Sequence, residues 1–118
     1  MPFIGDLSQC NPMQKKKLGI LLSTPPSHPN ATTVARLCEE GLQSHLDVYL
    51  YLIDEGVHNL HDARLLTLSD TGVKLFVCAY GCQQHSVPTQ DLHAGIQLCG
   101  LVVLSNMING CDRFVAFN

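Results

Sequence analysis

Short apolar runs recur along the chain, separated by polar, proline and glycine residues that limit their length. Leu18-Gly19-Ile20-Leu21-Leu22 is a continuous run too short for a helix, and it reads as a buried strand. Ser23-Thr24-Pro25-Pro26-Ser27-His28-Pro29 stops it, because prolines fix φ and lack a donor. From Asn30, an expected N-cap, Val34, Leu37, Cys38, Gly41, Leu42 and His45 recur at helical spacing and predict an amphipathic helix. Val48 to Ile53 is apolar at both alternating sets of positions, the pattern of a strand covered on both faces. Asp54 to Asn59 ends it as a polar turn, and Leu60 to Leu68 predicts a short helix with Leu65 and Leu68 inward. Thr71-Gly72 introduces a third run, Leu75-Phe76-Val77, which ends on Cys78 and the small-residue segment Ala79-Tyr80-Gly81. Gln83 to Gln90 reads as a short helix or loop closed by Pro88, and Ala94 to Leu98 as a weak, glycine-marked strand. Leu101, Leu104, Ser105 and Ile108 predict the inward stripe of a last helix, stopped by Asn109-Gly110, and Arg113 to Phe117 a last strand.

Alternation of strand and helix predicts an α/β fold: a five-stranded, mainly parallel sheet with helices on both faces, in a flavodoxin-like three-layer arrangement. Residues 15–118 form one domain, and residues 1–14, which lack any period, a flexible leader with Cys10 incidental in it. Right-handed crossovers leave few topologies, and a flavodoxin-like strand order is expected. In that order the chain direction reverses between the first and third strands, where open α/β sheets bind ligands. The expected crevice is then lined by Ser23, Thr24, Ser27 and Asn30 on one side and by Cys78 and Tyr80 on the other.

Composition narrows the function. Charged residues are only 14% of the chain, against about 25% in ordinary domains, so part of the surface is expected to be buried between subunits. A net charge of −3 gives no basic footprint, which removes the main support for nucleic-acid binding. The apolar runs are far shorter than the ~18 residues of a membrane span, so no membrane partner is expected. The first residues lack the charged start and apolar core of an export signal. The six cysteines therefore read as reduced thiols in a cytoplasmic protein rather than as a disulfide framework.

Cys78 is the strongest candidate for chemistry. A thiol at the carboxyl end of a central strand faces the first turn of the next helix, whose free N–H groups favour an anion. The bland alternative is an inert cysteine packed as a small hydrophobe. Cys82 follows at i+4, a spacing of about 6 Å that permits a resolving thiol. Cys78, Cys82 and His85 also match a three-ligand metal pattern, but no fourth ligand accompanies them, so neither a metal nor another cofactor is expected. Cys38, Cys99 and Cys111 read as structural. A receiver domain needs carboxylates where this chain has Ser23 and Cys78, and a flavin site a glycine-rich loop where it has prolines.

From Lys17 to Phe117 the chain resembles the DsrE/TusD (DsrE/DsrF-like) family of sulfur-relay proteins. The pieces that carry the resemblance are Glu55-Gly56-Val57-His58-Asn59, Leu75-Phe76-Val77-Cys78, Gly100-Leu101 and Cys111-Asp112-Arg113-Phe114-Val115-Ala116-Phe117, in that order. The resemblance implies a small α/β unit assembled as a homotrimer or homohexamer. It also implies an intracellular sulfur carrier, with sulfur held as a persulfide on Cys78 and passed from donor to acceptor proteins, the chemistry of a sulfurtransferase. Family members without this cysteine act as non-catalytic assembly partners, which is the alternative function, together with small-ligand binding. The chain departs from the family where an arginine-glycine pair commonly follows the cysteine helix. Gln84-His85-Ser86 stands there, leaving His85 and Cys82 as possible auxiliaries to Cys78.

Overall fold

A computed structural model describes residues 15–118. In chain order the elements are β1 (Lys17–Leu22), α1 (Asn30–Gln43), β2 (Asp47–Leu52), a 3-10 segment (Asp54–His61), α2 (Ala63–Asp70), β3 (Lys74–Cys78), α3 (Ala79–Gln84), β4 (Ile96–Cys99), α4 (Leu101–Gly110) and β5 (Arg113–Phe117). The leader expected over residues 1–14 lies outside the described residues.

The five strands form one sheet in the order β4-β3-β2-β1-β5, and every pairing is parallel. The α/β class with helices on both faces is as the sequence pattern predicts, but the strand order is not. β2, not β3, lies beside β1, and the chain reverses direction between β1 and β5. The physical reason lies in the strands themselves. A flavodoxin-like order would leave β2 at an edge, although its residues are apolar on both faces, and would place the weak, four-residue β4 inside. The observed order seals β2 between β1 and β3 and leaves β4 at the edge.

The steps β1 to β2 to β3 to β4 all run the same way, so right-handed crossovers carry α1, α2 and α3 over one face of the sheet. The long return from β4 to β5 carries α4 over the other. Beneath the first layer Ile20, Leu22, Val48, Leu50, Leu52, Leu75 and Val77 are fully buried, each worth roughly 1.5–3 kcal/mol of apolar transfer. The second face is more thinly covered. Met107 is the one α4 residue that is buried, and with Val103, Asn106 and Gly110 it faces Lys17, Tyr49, Phe76 and Cys111 across a cleft of about 210 Å3. Leu101 and Ile108, expected inward, are 62% and 47% exposed. Leu101 to Leu104 and Met107-Ile108 are apolar almost all round the helix, so the spacing alone does not choose the buried stripe.

Three boundaries also differ. Pro29, not Asn30, sits at the cap of α1, and the first helical N–H, that of Asn30, is accepted by His28 Nδ1 at 3.0 Å. The polar turn after β2 is an ordered 3-10 segment, and α2 begins only after Asp62, whose carboxylate accepts from the Arg64 N–H at 2.9 Å. α3 starts directly at Ala79, with the loop following it rather than replacing it.

Candidate functional site

Cys78 is the last residue of β3 and the cap of α3, and its Sγ accepts a hydrogen bond from the Gly81 N–H at 3.4 Å. α3 has only six residues, so this one directed N–H, rather than a long helix field, is the polar partner that the backbone supplies. The residue is 4% exposed, whereas Tyr80 beside it is 66% exposed and stands out from the surface. Gly81 packs closely: a Cβ there would press on Val57 Cγ1 at 3.0 Å and touch the Asp54 nitrogen at 3.4 Å.

Two further thiols and a phenol surround Cys78. Cys82, one turn on, is buried, and burial followed by the neighbouring Cys78 pushes its thiol above the ordinary range. Cys99 ends β4 as the register partner of Cys78, so both side chains leave the same face of the sheet. Its thiol, donating to the Val77 carbonyl at 3.8 Å, is pushed up chiefly by burial. Tyr51, fully buried in β2, donates its hydroxyl to the Gly100 carbonyl at 2.9 Å. Burial first, then Cys99 and Cys78, raise that hydroxyl well above the usual phenol range.

The Glu55-Gly56-Val57-His58-Asn59 stretch is the wedge that holds this edge together. Gly56 packs so closely on β1 that a Cβ would overlap the Leu22 carbonyl. Asn59 is fully buried, and its Nδ2 donates to the Thr24 and Gly56 carbonyls, each at 3.0 Å. Asp54 opens the segment at φ +54, a left-handed backbone uncommon outside glycine. Its Oδ1 lies 3.1 Å from His85 Nε2, and the His85 ring meets His58 edge-on at 5.3 Å. His85 is thus engaged by the 3-10 segment.

The first loop does not face Cys78 across a crevice, because β2 and the 3-10 segment intervene. Ser23 Oγ donates to Asn118 Oδ1 at 2.8 Å, and Asn30 Nδ2 reaches Thr24 Oγ1 at 3.3 Å and the Asn118 carbonyl at 3.4 Å. Ser27 is exposed in the same loop. These hydroxyls and amides belong to the β1–β5 edge, where the chain actually reverses. Among the described residues no cluster of three histidines, cysteines or carboxylates is arranged to hold a metal ion.

Sequence reasoning missed Tyr51 and Cys99. Tyr51 is hidden in a run apolar on both faces, and Cys99 falls one residue past the predicted end of its strand. The cysteine at that strand end was the available signal.

The profile of the DsrE/DsrF-like family matches residues 16–117, almost all of the described chain. The chain belongs to the DsrE/DsrF-like family. Among solved structures, the ychN protein from E. coli superposes with a TM-score of 0.73 at 18% identity, over 88% of this chain and 100% of that one. A conserved protein of unknown function from Bacteroides thetaiotaomicron, BT1422, gives a TM-score of 0.64 at 16% identity, over 86% and 95% of the two chains. These likenesses are of fold. No curated protein matches the chain.

Proposed function

We propose that this member of the DsrE/DsrF-like family is an intracellular sulfur carrier that takes up sulfur as a persulfide on Cys78 and passes it to an acceptor thiol. Family membership points to a part in sulfur relay. The observation that supports Cys78 as the carrier is its position: a thiol at a strand end, held by the Gly81 N–H, with other thiols beside it. The Cys78 thiolate attacks the outer sulfur of a donor persulfide. One S–S bond forms as the donor's breaks, and the donor leaves as a thiolate. An acceptor thiolate repeats the exchange, so no external oxidant or reductant enters. The reaction is that of a sulfurtransferase, and a cytoplasmic setting would keep the thiols reduced.

Mass measurement after exposure to inorganic polysulfide tests this. Wild type and Cys82→Ser should gain sulfur and Cys78→Ser should not. Loading that persists in Cys78→Ser and disappears in Cys82→Ser would transfer the role to Cys82.

The same reading includes self-assembly, as a homotrimer or homohexamer. Leu101, Val102 and Ile108 supply apolar surface on α4, with Val102 74% exposed, and the chain is poor in charge. That surface equally favours the second reading, a non-catalytic assembly subunit, which predicts no loading of wild type at all.

A further inference from the structure

The register that pairs Cys78 with Cys99 does more than pack two small residues. Neighbouring strands lie about 4.8 Å apart, and register partners project from the same face. That backbone spacing falls in the range, about 4.4–6.8 Å between Cα atoms, in which two cysteine sulfurs can bond. The two thiols differ in access. Cys78 is almost sealed, whereas Cys99, on the edge strand, is partly open to solvent. A carrier must meet a donor and then an acceptor, and a nearly buried thiol offers both of them the same narrow approach.

Resting on the carrier reading of Cys78, we propose that Cys99 is a second sulfur-bearing thiol, which takes the outer sulfur over from the Cys78 persulfide and presents it to the acceptor. Cys99 first loses its proton to solvent. Its thiolate then attacks the outer sulfur of the Cys78 persulfide. A bond forms between Cys99 Sγ and the outer sulfur, and the bond from that sulfur to Cys78 Sγ breaks. The electron pair returns to Cys78 Sγ, which leaves as a thiolate opposite the Gly81 N–H. The outer sulfur keeps its proton, and nothing is oxidised or reduced overall.

The division of labour follows from nucleophilicity. Burial, the largest influence on Cys99, pushes its thiol up, which lowers the thiolate fraction it offers to a donor arriving from solution. An adjacent persulfide is a different target. Held reactants reach effective molarities of about 10⁵–10⁸ M, which offsets a small thiolate fraction. The fully buried Tyr51, anchored on the Gly100 carbonyl just beyond Cys99, fixes the floor on which the two sulfurs meet.

The test loads wild type and Cys99→Ser with inorganic polysulfide, then follows discharge to two acceptors: cyanide, small enough to reach Cys78 directly, and a reduced protein dithiol, to which Cys99 is the more open thiol. Both proteins should load, and sulfur should map to the Cys78 and Cys99 peptides in wild type but to Cys78 alone in the variant. Discharge to the protein thiol should slow by about tenfold or more in Cys99→Ser, with discharge to cyanide unchanged. A variant that discharges to the protein thiol at the wild-type rate overturns the proposal, whatever the peptide map shows. Equal slowing toward both acceptors also overturns it, since that marks a general disturbance of Cys78. Failure of wild type to load at all is a different result, and removes the carrier reading itself.

Discussion

At the residue scale, two residues with no place in the sulfur chemistry, Asn59 and Gly56, hold its scaffold. Asn59 puts both amide protons into backbone carbonyls of different segments, tying the loop after β1 to the 3-10 segment. Asn59→Asp would turn those donors into oxygens facing oxygens in a fully buried site. Leaving such groups unpaired costs about 1–3 kcal/mol each, so the variant should unfold at much lower urea, or fail to accumulate folded. Gly56 makes the matching steric contact. Gly56→Ala drives a methyl into the Leu22 carbonyl, and a loss of at least about 2 kcal/mol is expected from the urea midpoint. Gly110→Ala, at the last residue of α4 where a Cβ meets nothing within 4 Å, is the control and should not destabilise the protein by more than about 0.5 kcal/mol.

At the element scale, β2 organises the sheet and the 3-10 segment organises its carboxyl edge. β2 is sealed because both of its faces are apolar, and its Tyr51 reaches under the ends of β3 and β4 to the Gly100 carbonyl. Tyr51→Phe removes that hydroxyl and its bond to the Gly100 carbonyl and keeps the ring. It should cost about 0.5–1.5 kcal/mol in chemical denaturation without a change of fold. α4 has the opposite character, apolar but exposed. Replacing Leu101 and Val102 together by glutamate removes no buried contact, so the monomer's stability should move by about 0.5 kcal/mol per site or less. If α4 is an assembly surface, the same double substitution should dissociate the oligomer in sedimentation velocity. A monomeric wild type at micromolar concentration would remove the assembly proposal.

For the whole molecule, the buried thiols link folding to pH. Burial first, then the Glu39 carboxylate, push the Cys38 thiol up to about 12. A free thiol titrates near 8.5, so above that pH the unfolded chain releases a proton that the folded chain retains. The folded pKa is the higher one. The contribution is therefore complete below about pH 8.5 and is lost as pH rises through the folded value, at up to about 1.4 kcal/mol per pH unit. Cys82, Cys99 and Cys111 are shifted the same way, chiefly by burial, and steepen the same alkaline limb. Urea midpoints at pH 7 and pH 10 should converge in Cys38→Ala relative to wild type. An unchanged difference would show that Cys38 does not keep its proton in the folded protein.

The sequence by itself determined the order of strands and helices along the chain, the apolar character of both faces of β2 and the placing of Cys78 at a strand end. These follow from local quantities: run length, alternation, and the glycines and prolines that stop a run. It also contained the evidence for an interior β2, in residues apolar on both faces, but that evidence acts only when every strand competes for cover at once. Tertiary structure decided the rest. It set β2 beside β1, moved Ser23, Thr24 and Asn30 to the β5 edge, and brought Cys99 from another strand to stand beside Cys78. Strand partners are chosen by the burial and crossover geometry of the whole sheet, and a one-dimensional period does not contain that sum.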